Sequence, residues 1–194
     1  MKCLRSTFRA AIAAALLTGG WWPAQAQTLA MPQGLTVELP ASWHVDGPAE
    51  GRLGRDGLRR IHLACASARC AQAQEACTLL LRPQPLAGED DGARLRSLYD
   101  SPLKKYARLR AVLRRASPGA DLRQPLAIVR IGEREWYQVE TDAAPGHAAR
   151  LYAETVVGGH YVGAICSTLE TAAPRHQDAL SLLQSLQAVP TASR

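Results

Sequence analysis

The clearest pattern in the chain is a pair of strand-like runs at residues 149–157 and 160–167. Both runs are rich in Val, Tyr, Ile, Thr and Ala, which favour extended backbone, and Gly158 and Gly159 separate them. A Gly-Gly pair tolerates the positive φ values that a two-residue hairpin turn requires. The pattern therefore predicts an antiparallel hairpin whose second strand carries Cys166.

Other segments alternate apolar and polar residues, as half-buried strands do. The run LTVEL at 35–39 predicts a strand that ends at Pro40, because proline cannot donate a hydrogen bond to a neighbouring strand. Segment 27–34 is polar and contains a proline, so we expect it to be a loosely held lead-in. Further strands are predicted at 59–65, 77–82, 122–131 and 135–141.

Helical periodicity appears in the middle of the chain. The helix is predicted to begin near Ala93 or, more sharply, at Ser101 and Pro102, since serine caps a first turn and proline fits the first helical position. Over residues 102–116 the apolar positions form one stripe surrounded by Lys and Arg. The members of this stripe are Tyr106, Leu109, Val112 and Leu113.

A second amphipathic helix is predicted after Pro174. Its apolar residues repeat at i, i+3, i+4 and i+7, which places them on one face, as in a helix packed on a sheet. These residues are Ala179, Leu182, Leu183 and Leu186. Residues 190–194 are predicted to be a frayed tail.

The order of elements indicates the fold class. Strands that are grouped together, with helices set apart, are typical of an α+β domain. We predict an antiparallel β-sheet packed by the long mid-chain helix and the C-terminal helix. These elements form a single globular domain over residues 35–189.

Short motifs along this order are similar to those of the PsbP-like fold. The first strand runs into Pro-x-x-Trp in LTVELPASW, a meander of strands follows the mid-chain helix, and the last helix ends in LLQSLQA. The chain thus resembles the extrinsic photosystem II subunit, the Ran-binding Mog protein and many small exported bacterial proteins. The resemblance implies an α/β/α sandwich with a binding or accessory role, and it supplies no catalytic residues.

Residues 1–26 have the composition of a secretory signal peptide. Lys2, Arg5 and Arg9 precede a short apolar run, and a small-x-small cleavage site ends at Ala26. We expect cleavage after Ala26 and export to the periplasm. The apolar run is shorter than the roughly 20 residues that cross a bilayer, so we expect no membrane span.

Cleavage would also lower the charge of the protein. The full chain of 194 residues carries a formal net charge of +6. Three of its 23 basic residues and none of its 17 acidic residues lie within 1–26, which leaves 20 basic and 17 acidic residues, or +3. This small excess does not support nucleic-acid binding.

Four cysteines remain after cleavage, namely Cys65, Cys70, Cys77 and Cys166. An even number of cysteines in an exported chain predicts two disulfides, and four cysteines allow three pairings. The sequence does not choose among the three. We favour Cys65–Cys166 across the sheet together with Cys70–Cys77 within a loop.

The sequence contains no evident catalytic motif. It has neither a Gly-x-Ser-x-Gly turn nor a Cys-x-x-Cys redox pair. His62, Cys65, Cys70 and Cys77 lie within 16 residues and are suitable ligands for zinc or copper, but export favours disulfides over thiolates. We therefore predict no metal, no cofactor and no enzymatic activity.

A polar group beside the hairpin turn is a further candidate site. His160 follows the turn, and Tyr152 and Glu154 lie on the preceding strand, so the three side chains could line the end of the sheet. A solvated hairpin tip is the simpler interpretation and the one we favour.

The basic helix at 102–116 is the best candidate for an interaction surface. We add two aromatic residues of a strand, which we expect to be exposed. The predicted surface comprises Lys104, Lys105, Arg108, Arg115, Trp136 and Tyr137. On this basis we predict a binding or accessory domain that engages an envelope protein.

Two alternative functions stay open at this point. A periplasmic hydrolase acting on cell-wall or ester substrates would have a deep pocket with convergent polar groups. An inhibitor or immunity-type module that blocks a hydrolase would instead have a protruding loop, for which 66–76 and 47–57 are candidates.

Overall fold

The computed structural model describes residues 27–113, 121–143, 147–172 and 175–188. Within these ranges the helices are α1 (Ala68–Ala73), α2 (Asp91–Ser97), α3 (Pro102–Leu113) and α4 (Gln177–Gln184), with a 3-10 turn at Pro32–Gly34. The strands are β1 (Gln27–Met31), β2 (Leu35–Leu39), β3 (Trp43–Val45), β4 (Arg52–Leu53), β5 (Arg59–Cys65), β6 (Ala76–Leu81), β7 (Leu122–Ile131), β8 (Arg134–Thr141), β9 (Ala149–Val157), β10 (His160–Thr168) and β11 (Gln187–Ala188). The predicted mixed α+β class, with mostly antiparallel sheets, is confirmed.

The main sheet is built around the predicted hairpin. Its strand order is β3-β5-β6-β10-β9-β8-β7, with β4 beside β5, and neighbouring strands pair antiparallel. Gly158 and Gly159 form the turn between β9 and β10 with φ values of 57° and 82°. Both values lie in the left-handed region, which explains why glycine occupies each position. The hairpin prediction is confirmed, and β5 spans the predicted residues.

A second, three-stranded sheet contains the N-terminal residues that we expected to be loose. Its order is β1-β2-β11, and β1 pairs antiparallel with the whole of β2, from Gln27 opposite Leu39 to Met31 opposite Leu35. Leu29 and Met31 of β1 are buried. The prediction of a loosely held lead-in is therefore wrong, because two apolar side chains in alternation are enough to fix a short strand against an existing partner.

One face of the main sheet carries the larger hydrophobic core. Trp136 is fully buried in this core together with residues of β5, β6, β9 and β10, and the small sheet also contributes to it. The stripe of α4 packs here, with Ala179, Leu182, Leu183 and the following Leu186 each no more than 2% exposed. The prediction that this helix buries one apolar face is confirmed.

The opposite face of the main sheet carries a smaller cluster. Leu95 of α2 and Tyr99 pack there against Tyr137 of β8 and Val156 of β9. The predicted long helix is thus two helices, and the first of them makes the buried contacts. α3, which we expected to pack on the sheet, has no buried residue.

The four cysteines form two disulfides, but the favoured pairing is wrong. The bonds are Cys65–Cys70 and Cys77–Cys166, with Cα–Cα distances of 5.5 Å and 4.0 Å. Cys77 and Cys166 lie directly opposite each other on β6 and β10. Since β6 separates β5 from β10, Cys65 cannot reach Cys166, and α1 instead brings Cys70 back to the end of β5.

The two disulfides differ in what they constrain. Cys77–Cys166 joins residues 89 positions apart, which in the chain-entropy model stabilises the fold by about 4.5 kcal/mol. Cys65–Cys70 spans only 5 positions, so the same model gives about 2 kcal/mol. The first bond ties the central hairpin to β6, its neighbour in the sheet.

Helices of the described residues are all too short or too polar to cross a membrane.

Candidate functional site

The structure separates the residues of the predicted interaction surface. Lys104, Lys105 and Arg108 lie on α3, whereas Arg115 lies outside the described residues. Trp136 is fully buried and Tyr137 is 9% exposed. The prediction that these two aromatic residues form an exposed face is wrong, because Trp136 fills the larger core and Tyr137 stacks on Tyr99 with ring centroids 3.6 Å apart.

The start of α3 follows the predicted signature. Ser101 accepts a hydrogen bond from the backbone N–H of Lys104 through its Oγ, at 3.3 Å, and Pro102 occupies the first helical position. Lys104 Nζ contacts Asp100 Oδ1 at 2.9 Å and donates to the carbonyl of Ser97 at 2.9 Å. The lysine therefore ties the first turn to the chain that precedes it.

An apolar stripe of α3 faces away from the sheet. Leu103, Tyr106 and Leu113 are 76%, 60% and 42% exposed. Because their spacing is i, i+3 and i+10, these side chains lie on one side of the helix. Arg110 falls on the same side, four residues after Tyr106. We call Leu103, Tyr106, Arg110 and Leu113 the outer helix surface.

The predicted stripe is therefore divided between two sides of the helix. Leu109 and Val112 are half-buried, but Tyr106 and Leu113 are exposed. Val112 lines a cleft between α3 and the sheet, together with Arg108 and Ala111. The stripe predicted from the sequence included residues of both sides. The sequence shows which residues of the helix are apolar, but it does not show which parts of the fold the helix contacts.

The charges of α3 have one sign. The helix contains Lys104, Lys105, Arg108 and Arg110 and no acidic residue. Lys104 pairs with Asp100, and Arg108 pairs with Glu154. Lys105 and Arg110 have no ion pair with any of the described residues. The outer helix surface thus combines three apolar or aromatic residues with one basic residue, Arg110.

A polar cluster occupies the side of α3 that faces the sheet. Tyr99 donates a hydrogen bond from its hydroxyl to Glu154 Oε2 at 2.6 Å, and Arg108 Nη1 lies 3.6 Å from the same oxygen. The guanidinium of Arg108 also lies over the ring of Tyr161, with Cζ 5.6 Å from the ring centroid. Four residues from three separate parts of the chain thus meet on one face of the sheet.

Burial and the charge of the Glu154 carboxylate together shift the pKa values of Tyr99 and Arg108. Burial raises the pKa of the Tyr99 hydroxyl well above its ordinary value, and the negative charge of Glu154 raises it further. Burial tends to lower the pKa of Arg108, but the charge of Glu154 offsets this and the pKa lies above its ordinary value. Tyr99 therefore stays protonated, and Arg108 stays charged.

The cleft between α3 and the sheet has a volume of about 140 Å³. Its walls combine apolar and aromatic side chains with the charged pair, and include Leu80, Arg108, Val112, Tyr152, Glu154 and Tyr161. Gly163 lies at its floor, where a Cβ would come within 2.7 Å of Tyr161 Oη. The described residues that line the cleft include no serine, cysteine or histidine.

The predicted group at the hairpin turn is only partly assembled. Tyr152 and Glu154 both line the cleft. His160 pairs in register with Val157, which belongs to the larger core on the opposite face. Alternation along β9 and β10 therefore separates His160 from the other two.

The part that Tyr99 plays in this cluster was not predicted from the sequence. A local signal did exist for the strand residues, because Tyr152 and Glu154 on β9 alternate with core residues, as do Tyr161 and Gly163 on β10. No local signal connects Tyr99 or Arg108 to them, since both come from a different part of the chain.

The histidine and cysteines considered for a metal have other partners. All four cysteines are in disulfides, and His62 Nδ1 lies 3.0 Å from Thr78 Oγ1. Ligand atoms of Cys70, Glu75 and Asp178 lie within 4.8 Å of one another. Cys70 offers no thiolate while it is bonded to Cys65.

Segment 66–76, one of the two loops considered for an inhibitor, is folded against the domain. α1 buries Cys70 and Ala73. Glu75 is 3% exposed, and its Oε1 accepts a hydrogen bond from the backbone N–H of Ala179 at 3.1 Å. This contact satisfies an N–H of the first turn of α4 and fixes the segment in place. The other loop, 47–57, includes β4, which pairs with β5.

The chain has a PsbP-like fold, as the sequence motifs predicted. The solution structure of the cyanobacterial PsbP (CyanoP) from Synechocystis sp. PCC 6803 aligns with a TM-score of 0.53, at 16% sequence identity, over 88% of this chain and 96% of that chain. At this identity the likeness shows the fold alone.

A crystal structure from Bacteroides thetaiotaomicron VPI-5482 also aligns, with a TM-score of 0.49 and 12% identity. The alignment covers 84% of this chain and 48% of the other, so the chain spans about half the length of that protein. No protein-family model matches the sequence, and no curated protein matches it either.

Proposed function

We propose that the protein is an exported binding or accessory domain and that the outer helix surface binds an envelope protein. The observation that carries this proposal is the direction in which the apolar residues of α3 point. Leu103, Tyr106 and Leu113 are exposed, while Arg108 faces the sheet. An amphipathic helix packed only for stability has the opposite arrangement.

The energetic cost of this arrangement supports an interaction. Full burial of a leucine side chain stabilises a protein by about 1.5–3 kcal/mol, and the exposed Leu103 contributes little of this within the domain. An apolar helix face that enters a groove of a second protein recovers this free energy on binding. The outer helix surface has the spacing of such a recognition helix.

The charges of α3 indicate the kind of partner. Arg110 lies within the outer helix surface, and α3 contains no acidic residue. We infer a partner with an apolar groove and acidic residues at its rim, which would also increase the rate of association. A second copy of this chain is disfavoured, because the same basic helix would face itself.

Export is part of the proposal. Residues 1–26 have the pattern of a signal peptide, and the two disulfides are of the kind that forms in oxidising compartments. We therefore propose a partner in the bacterial envelope and no catalytic activity.

Affinity capture with matched variants tests this proposal. The mature protein, its Leu103→Asp variant and an Ile128→Asp control are immobilised and incubated with solubilised envelope of the source bacterium. Ile128 is 53% exposed on β7, so the control adds the same charge at an exposed apolar residue outside α3. Captured proteins are quantified by mass spectrometry.

We expect one envelope protein to be captured by the wild type and by the control but reduced at least tenfold with Leu103→Asp. Equal capture by all three proteins would contradict the proposal. So would binding of the wild type, but not of Leu103→Asp, to anionic phospholipid vesicles without protein, since a membrane would then be the target.

A further inference from the structure

The Cys65–Cys70 disulfide lies beside two carboxylates, one before β6 and one at the start of α4. Cys70 Sγ is 3.5 Å from Asp178 Oδ2. Ligand atoms of Cys70, Glu75 and Asp178 all lie within 4.8 Å of one another. In a tetrahedral zinc site the ligand atoms lie about 3.4–3.8 Å apart, because Zn–S distances are about 2.3 Å and Zn–O distances about 2.0–2.2 Å. Small movements would therefore let these three groups share one ion.

The fold holds both carboxylates in this place. Glu75 is 3% exposed, and its Oε1 accepts a hydrogen bond from the backbone N–H of Ala179 at 3.1 Å. Such a bond orients a carboxylate whose second oxygen binds a metal. The Asp178 side chain is 29% exposed, and Arg69 Nη1 approaches its Oδ2 only to 3.8 Å. Two neighbouring carboxylates repel each other when both are ionised, so a cation between them is favoured.

Of the two disulfides, this one is the better placed to open without loss of the fold. Cys65 is half-buried, whereas Cys77 and Cys166 are 2% and 0% exposed, and thiol–disulfide exchange requires access to a sulfur. The Cys65–Cys70 bond spans 5 positions, and the Cys77–Cys166 bond spans 89. Opening the shorter span releases less chain entropy in the unfolded state, so it costs less stability.

We propose that one Zn²⁺ binds at the start of α4 when the Cys65–Cys70 bond is reduced. The ligands are Cys65, Cys70, Glu75 and Asp178. A dithiol reductant gives two electrons and two protons to the bond, becomes a disulfide itself and leaves two thiols on the protein. Zn²⁺ then displaces both thiol protons to solvent, because the thiolate is the form that binds a metal. This site shares no residue with the outer helix surface.

Calorimetric titration with zinc chloride tests the proposal on the mature protein, before and after treatment with a phosphine reductant. We expect one Zn²⁺ per reduced molecule and at least tenfold weaker binding to the oxidised protein. Alkylation read by mass spectrometry identifies the ligands, since bound zinc should protect Cys65 and Cys70 from the reagent. Equal binding in both redox states, binding without protection of these two cysteines, or no binding after reduction would overturn the proposal.

Substitutions of the carboxylates connect zinc binding to this site. Glu75→Gln and Asp178→Asn should each weaken zinc binding to the reduced protein at least tenfold. Each variant keeps an acceptor oxygen, so circular dichroism should show an intact fold. Glu170→Gln is the matched control, because Glu170 also pairs with Arg69, at 3.4 Å, but is not one of the proposed ligands. Retained zinc affinity in both ligand variants, or an equal loss with Glu170→Gln, would contradict the assignment.

Discussion

The two amphipathic helices α3 and α4 use their apolar residues in opposite ways. Leu182 and Leu183 of α4 are buried against the larger core, whereas Leu103 and Tyr106 of α3 are exposed. The described part of α3 contacts the sheet mainly through the side that carries Arg108, which is charged. An apolar stripe in the sequence therefore shows which side of a helix can be buried in a contact. It does not show whether that contact is with the helix's own domain or with another protein.

The attachment of the two helices differs in the same way. α4 receives Glu75 at its first turn, and Ser185 at its end donates to the carbonyl of Glu38 at 2.8 Å. Both contacts link α4 to distant parts of the chain. α3 is linked to the sheet by an ion pair at 3.6 Å and by Val112, which is half-buried and lines the cleft. We therefore expect α4 to be essential for stability and α3 to be available for binding.

The largest expected effect comes from truncating one leucine in each helix. Leu182→Ala should lower the free energy of unfolding by about 2–5 kcal/mol, because it creates a cavity in a fully packed site. Leu103→Ala should change it by less than about 0.5 kcal/mol, because Leu103 is 76% exposed. Urea denaturation of both variants measures the difference. Similar losses in the two variants would mean that α3 is packed as tightly as α4.

Acid should weaken the attachment of α4 through His176, which caps this helix. The imidazole is 1% exposed, and burial, aided by the charges of Arg175 and Arg123, lowers its pKa from 6.5 to about 4. Between these pH values the unfolded chain takes up a proton that the folded chain does not. The contribution of neutral His176 to the free energy of unfolding therefore has its full value above pH 6.5. It falls by about 3 kcal/mol as the pH approaches 4.

A comparison with His176→Asn isolates this effect, since asparagine tolerates the φ of 56° at this position. Glu75 acts with the opposite sign, because burial raises its pKa and its stabilising protonated form is lost as the pH rises. The difference between the wild-type and His176→Asn curves of unfolding free energy against pH should increase steadily from pH 4 to 6.5. Parallel curves would contradict a buried neutral histidine.

A smaller effect is expected where α3 contacts the sheet. Glu154→Gln removes the partner of Arg108 and should destabilise the fold by about 1 kcal/mol, a value kept low because both side chains are partly hydrated. The same change removes the negative charge beside Tyr99, so the pKa of that hydroxyl should move towards its ordinary value. Urea denaturation of the variant measures the loss of stability. An unchanged free energy of unfolding would show that the pair does not stabilise the fold.

Much of the fold was predictable because its signals are local. Gly158 and Gly159 fixed the central hairpin, and the spacing of Leu182 and Leu183 identified the buried face of α4. The start of α3 was predictable from Ser101 and Pro102. In each case the residues that decide the structure are neighbours in the sequence.

Features that depend on distant partners were not predictable in this way. The disulfide pairing required the strand order, which places β6 between Cys65 and Cys166. The prediction of β1 would have required knowledge of its pairing with β2, because Leu29 and Met31 alone are too weak a strand pattern. The cleft could not be predicted because it forms where Tyr99 and Arg108 contact Glu154, which lies in another part of the chain. The direction of the α3 stripe likewise depended on which residues of the sheet lie beneath the helix.

The outer helix surface should bind with a helical pattern, which a scan along α3 measures directly. A photo-crosslinking amino acid is placed at each of the positions 103, 106, 109, 110, 112 and 113 in cells of the source bacterium, and crosslinks are compared at equal expression. We expect one envelope protein to be crosslinked strongly from 103, 106, 110 and 113 and weakly from 109 and 112. Crosslinks of equal yield at all six positions, or strongest at 109 and 112, would contradict the central claim that the apolar face of α3 is turned outward to bind a partner.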